Sequence, residues 1–197
     1  GDVTGSGTIT MTGGTFTISG TGNFGNGNQW QFKNLTLGAG TLATTTKTGS
    51  ATTTITGVLT VATNQILNAG SSGWLLSGSG TPFVQNGTFN VQSAPFTYSG
   101  TSATVVTFSN STNYAARTPA PGAGSPTYTL GGGTPTIGSL TIGNGTNPVT
   151  VTANTNHPSL AITGDVQINA SGTYTASTFG FLTVAGSWIN AGTFTHS

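Results

Sequence analysis

Acid–base catalysis needs two ionisable groups held within several Å of each other, and this 197-residue sequence offers few candidates. Its charged residues are Asp2, Lys33, Lys47, Arg117 and Asp165, with no Glu and no Cys. A carboxylate pair would have to join Asp2 to Asp165, which lie far apart in the chain. A Ser–His–Asp arrangement would draw on His157 or His196 with Asp165. His157 precedes Pro158 in a polar turn and reads as an exposed loop histidine; His196 reads as part of a frayed or paired strand end. Two His and two Asp without Cys do not make a zinc set, and calcium calls for several carboxylates. An isopeptide bond from Lys33 or Lys47 to an Asn also needs a catalytic carboxylate, and Asp165 alone is available. Gly20-Thr21-Gly22-Asn23-Phe24-Gly25 satisfies G-x-G-x-x-G. A dinucleotide loop must open a helix, however, and the following Asn26-Gly27-Asn28-Gln29-Trp30 is a turn sequence. No catalytic residue, cofactor or metal site is expected. The chain reads as not an enzyme.

The elements that would position any site are strands. Charged residues are 3% of the chain, against about a quarter in ordinary proteins, and 43 Thr, 19 Ser and 32 Gly fill their place. Disordered polar tracts lack β-branched and aromatic residues; here 34% of residues are apolar and 9% aromatic, enough for a core. Three cations cannot neutralise a phosphate backbone, so nucleic acid is excluded as a partner. No apolar run approaches the roughly 20 residues of a membrane helix, and no membrane insertion is expected. A net charge of +1 leaves little repulsion to oppose self-association.

Period-2 alternation recurs along the chain, as in Thr15-Phe16-Thr17-Ile18, Leu35-Thr36-Leu37, Val58-Leu59-Thr60-Val61, Val149-Thr150-Val151-Thr152 and Thr193-Phe194-Thr195. It puts apolar residues inward and Thr outward, where the stiff β-branch suits an extended backbone. Gly-, Asn- and Ser-rich turns separate the runs. Only Asn113–Arg117 reads as locally helical, with Pro119 and Pro121 close behind. The fold class is all-β.

An internal repeat is visible. Asn34-Leu35-Thr36-Leu37-Gly38 matches Ser139-Leu140-Thr141-Ile142-Gly143, Ile55-Thr56-Gly57 matches Ile162-Thr163-Gly164, and Gly87-Thr88-Phe89 matches Gly192-Thr193-Phe194, all at nearly one offset. The expectation is one elongated domain, 1–197, with copy one over about 1–97 and copy two over about 98–197. A surplus stretch around Tyr98–Pro135 reads as a Pro-rich loop near 115–135 or an extra coil at one edge. Leu140, Leu160 and Leu182 are 20 and 22 residues apart, and Gly172-Thr173-Tyr174 precedes Gly192-Thr193-Phe194 by 20. Coils of about 20 residues indicate a β-solenoid, parallel β-helix-like. The competing architecture is two tandem β-sandwich domains of about 100 residues each.

Ile162-Thr-Gly-Asp-Val-Gln-Ile-Asn-Ala-Ser-Gly-Thr-Tyr-Thr and Leu182-Thr-Val-Ala-Gly-Ser-Trp-Ile-Asn-Ala-Gly-Thr-Phe-Thr resemble Thr/Gly/Asn-rich repeat regions of giant bacterial cell-surface proteins. Those regions are similar in style to filamentous-haemagglutinin and autotransporter-passenger β-helices. The resemblance covers most of 35–197 and implies an extracellular or cell-surface bacterial stalk or fibre. It carries over no functional residue.

Solenoids normally end in polar caps, since open edges template further pairing; here strand motifs run to both termini, which reads either as a slice of a longer repeat protein or as ends that pair with neighbouring subunits. The expected function is a structural subunit of a fibre, filament or surface layer that assembles with copies of itself. Its expected assembly edges are Thr8, Ile9 and Thr10 at one end and Thr193, Phe194 and Thr195 at the other. One alternative is an adhesin segment that binds surface glycans by stacking on Trp30, Trp74 and Trp188. Another is ice binding through Thr-x-Thr motifs, although these stand at unequal spacings that simple inward–outward alternation explains.

Overall fold

The computed structural model describes residues 1–38, 40–108 and 113–196. Among them the regular elements are all strands, in four sheets of parallel pairs. The chain is a β-solenoid of about eight turns with coils of about 22 residues. Most coils contribute three strands, each stacked on a counterpart in a neighbouring coil.

The first coil holds β1 (Ile9–Thr10), β2 (Thr15–Ile18) and β3 (Gly22–Phe24). β4 (Trp30–Phe32), β5 (Asn34–Leu37) and β6 (Ala43–Lys47) make the second; β7 (Thr53–Ile55), β8 (Leu59–Val61) and β9 (Gln65–Asn68) the third. The fourth holds β10 (Trp74–Leu76), β11 (Phe83–Gln85) and β12 (Thr88–Asn90). β13 (Phe96–Tyr98) and β14 (Thr104–Val106) follow, and then β15 (Asn113–Pro119), β16 (Thr127–Leu130), β17 (Thr136–Ile142) and β18 (Val149–Thr152). The stack continues through β19 (Leu160–Ile162), β20 (Val166–Ile168), β21 (Gly172–Thr175) and β22 (Leu182–Val184) to β23 (Trp188–Asn190) and β24 (Thr193–Thr195). β15 and β17 each turn a corner. Arg117 pairs back to Phe96 and forward to Leu140, while Ile137 pairs with Tyr114 behind and Ile162 ahead.

One column of inward residues on the first face runs Ile9, Trp30, Thr53, Trp74, Phe96, Arg117, Leu140, Val166, Trp188. Its aromatic stretch is packed ring on ring, with Trp74 and Phe96 stacked at 5.7 Å and 16°. Burying each such large side chain contributes about 1.5–3 kcal/mol. Outward positions form polar ladders: Asn90 donates to Asn68 Oδ1 at 2.9 Å, and Asn68 donates to Thr46 Oγ1 at 3.0 Å. The coils fit closely enough that Gly25, at φ +109°, has no room for a side chain: a Cβ there would lie 2.7 Å from the Thr48 carbonyl oxygen.

Two expectations are corrected. Asn113–Arg117 is not a helical turn but the start of β15. A single helical turn has no independent stability, whereas this segment gains a ladder to β17. Of the two readings of the Pro-rich stretch near 115–135, the loop is overturned and the extra coil fits, because it carries the end of β15 and all of β16. The long internal repeat is not a whole number of coils. Leu35 lies on the second face and its match Leu140 on the first, Ile55 on the first and Ile162 on the third, Phe89 on the third and Phe194 on the second. The matches record a strand-and-turn unit that serves all three faces alike.

Candidate functional site

The features that stand out lie at the two ends of the stack and along one outer sheet. Ile9 and Thr10 form β1, whose one partner among the described residues is β4, so its other edge is open; Thr8 directly precedes it. Thr193–Thr195 form β24, whose one partner among the described residues is β21. The predicted edge residues thus fall in β1 and β24, apart from Thr8, which lies just before β1. Val3 sits below β3 on the third face, bridging to Phe24.

At the β24 end a groove of about 570 Å3 opens over β22, lined by Tyr174, Phe181, Leu182, Val184, Trp188 and Phe194 among others. Trp188 and Phe194 are each 40% exposed and meet edge to face at 5.0 Å. Phe179 and Phe181 stand further out, near three-quarters exposed. Of the three tryptophans expected to form a stacking platform, only Trp188 reaches solvent. Trp30 and Trp74 are buried, their indole N–H groups donating to the carbonyls of Gly7 at 2.9 Å and Ala69 at 3.0 Å. All three stand on the inward column of the first face, and Trp188 is the more exposed because, among the described residues, no strand pairs with β23 beyond β20.

The chemistry-bearing residues hold the coils together. Asp2 Oδ1 accepts the Asn23 amide at 2.7 Å, and Asp165 Oδ1 accepts the Ser187 amide at 2.7 Å. Each carboxylate thus satisfies a backbone donor one coil further on. His157 Nδ1 lies 3.1 Å from Ser177 Oγ, a contact of the kind that begins a nucleophile–base pair. Ser177 Oγ, however, accepts the Phe179 and Gly180 amides at 3.2 and 2.7 Å, and among the described residues no carboxylate orients His157. The contact closes a turn. Among the described residues no three His, Asp or Glu side chains cluster as metal ligands.

Two cations lie in the interior, where sequence reasoning does not place them. Lys47 Nζ donates to the Ala51 carbonyl at 3.1 Å and to Ser72 Oγ, beside the Trp74 ring, and burial pulls its pKa down to about 8. Arg117 is fully buried between Phe96 and Tyr114, 4.5 and 4.4 Å from their rings. It donates to the Ala116 carbonyl at 3.2 Å, while its Nε and Nη2 and the nearby Tyr98 hydroxyl lack protein partners among the described residues. Burial lowers its pKa to about 10 and raises that of Tyr98 to about 12. Lys47 does signal itself, as the inward member of the Thr45/Lys47 alternation. Arg117 carries no such signal, because its segment reads as helical in the sequence.

No protein-family model, curated protein or solved structure matches this chain.

Proposed function

We propose that this chain is a non-catalytic structural segment of an extracellular, cell-surface fibre, and that copies of it stack end to end through their open β edges. The complementary phase of the two ends carries this reading. A second copy set on the β24 end brings its Val3 segment over β22, its β1 over β23 and its β2 over β24. Thr15-Phe16-Thr17 then lies on Thr193-Phe194-Thr195, an identical triplet, and the groove is filled by apolar residues. Parallel edges supply backbone donors and acceptors for this pairing. A chain with five charges sets almost no repulsion against it. The resemblance to bacterial surface repeats supports the cell-surface setting.

Electron microscopy and sedimentation of purified protein test the reading. Rods that lengthen with concentration, in increments of about 40 Å from roughly 4.8 Å per coil, are expected. A Trp188→Asp/Phe194→Asp variant should shorten them to single chains. Dispersed single-chain particles at every concentration would sink the proposal.

A further inference from the structure

Four Thr-x-Thr motifs, at intervals of 23, 23 and 20 residues in the sequence, fall into register on one outer sheet. Thr127, Thr150, Thr173 and Thr193 pair in succession and form one rank. Thr129, Thr152, Thr175 and Thr195 form a second, parallel to the first. The intervals differ only in the turns, which absorb the surplus residues. Between the ranks Tyr128, Val151, Tyr174 and Phe194 point inward, so both ranks face solvent. Each rank repeats at about 4.8 Å from strand to strand up the stack, and the two ranks lie about 6.6 Å apart along each strand. Apart from Thr152, which accepts the Asn154 amide at 3.1 Å, none of these hydroxyls has a hydrogen bond to another described residue.

From this register we infer that the outer surface of β16, β18, β21 and β24 binds ice. A two-dimensional lattice of like groups can recognise an ordered surface. Each threonine offers a methyl and a hydroxyl, and neighbours hold them in the same orientation because the β-branch is stiff at χ1. Waters hydrogen-bonded to these hydroxyls are held at the fixed repeat of the ranks, as an ordered two-dimensional layer. A single such contact is weak; many of identical geometry on one rigid sheet act together. The surface carries none of the five charged residues, whose hydration would break the water lattice. A polysaccharide surface is the less suited occupant, since its sugar rings are held by exposed aromatic faces, and every ring along the paired part of this sheet points inward. This inference is independent of end-to-end stacking, because the two ranks lie within one chain.

Ice recrystallisation and ice-crystal shape, observed with the purified chain, provide the test. Suppressed recrystallisation and faceted crystals are expected. A Thr150→Lys/Thr173→Lys variant should lose activity by about tenfold or more through the lost multivalency. A Thr118→Lys/Thr141→Lys variant, which alters a different face, should keep it. Circular dichroism of both variants confirms that the fold persists. Normal rounded crystals with folded wild-type protein overturn the inference. So does equal loss in both variants, or retention on crystalline chitin or cellulose without an effect on ice.

Discussion

At the residue scale the two interior cations make opposite demands. Lys47 is buried with its ammonium bonded to Ser72 and Ala51, yet desolvation still lowers its pKa from 10.5 to about 8. Below pH about 8 it is charged in both states and its burial cost is present in full. Between about 8 and 10.5 the unfolded chain keeps a proton that the folded chain releases, so stability rises with pH. The melting temperature should therefore increase between pH about 7.5 and about 9.5, and Lys47→Met should remove most of that increase. At still higher pH the buried tyrosines reverse the trend. Tyr98, Tyr128 and Tyr174 all have raised pKa values, chiefly through desolvation, so the folded state holds protons that the unfolded state gives up. Arg117 has two ring faces but only one hydrogen bond among the described residues. Each ring contact is worth about 1–2 kcal/mol, against a desolvation penalty of several kcal/mol for a buried ion. Arg117→Met should accordingly stabilise the chain, by on the order of 1 kcal/mol in urea unfolding. A loss of stability instead would show that the ring contacts outweigh the unpaired N–H groups.

At the scale of strand and turn, close stacking of coils places its strictest demand on the backbone of the corners. Gly25 combines a left-handed φ with contact against the coil above. Gly25→Ala is expected to cost roughly 2–3 kcal/mol, since conformational strain and the steric conflict with Thr48 act together; thermal or urea unfolding measures this. Tyr128 shows the complementary device. Its hydroxyl donates across the interior to the Gly100 carbonyl at 2.7 Å, so Tyr128→Phe should lose about 1 kcal/mol by leaving that acceptor unpaired. Strands are the most legible elements, because period-2 alternation needs no tertiary information. Asn113–Arg117 misleads for a local reason: a strand turning a corner breaks the alternation, and Tyr114 and Arg117 both point inward on either side of the bend.

At the scale of the whole molecule, each coil touches only its neighbours, so stability is a sum of coils and interfaces. Hydrogen exchange on dispersed protein should be slowest in β7 to β18 and fastest in β1, β23 and β24. If the ends pair between copies, protection of those three strands should rise with concentration while the middle coils stay unchanged. The terminal candidates are legible because strand motifs reach both ends of the sequence. The groove over β22 is not, since Leu182, Val184, Trp188 and Phe194 meet there only through the winding of the coil.

The sequence by itself determined the strand content, the inward–outward assignment of most side chains and the approximate length of a coil. These depend on alternation and turn chemistry, which act over a few residues. Only the tertiary structure decided the number of faces, the unequal use of the three tryptophans and the alignment of the four Thr-x-Thr motifs. Those depend on how each turn folds its extra residues against the coil beneath. A threonine's neighbour in sequence is known at once; its neighbour one coil away is known only when every turn between them is closed.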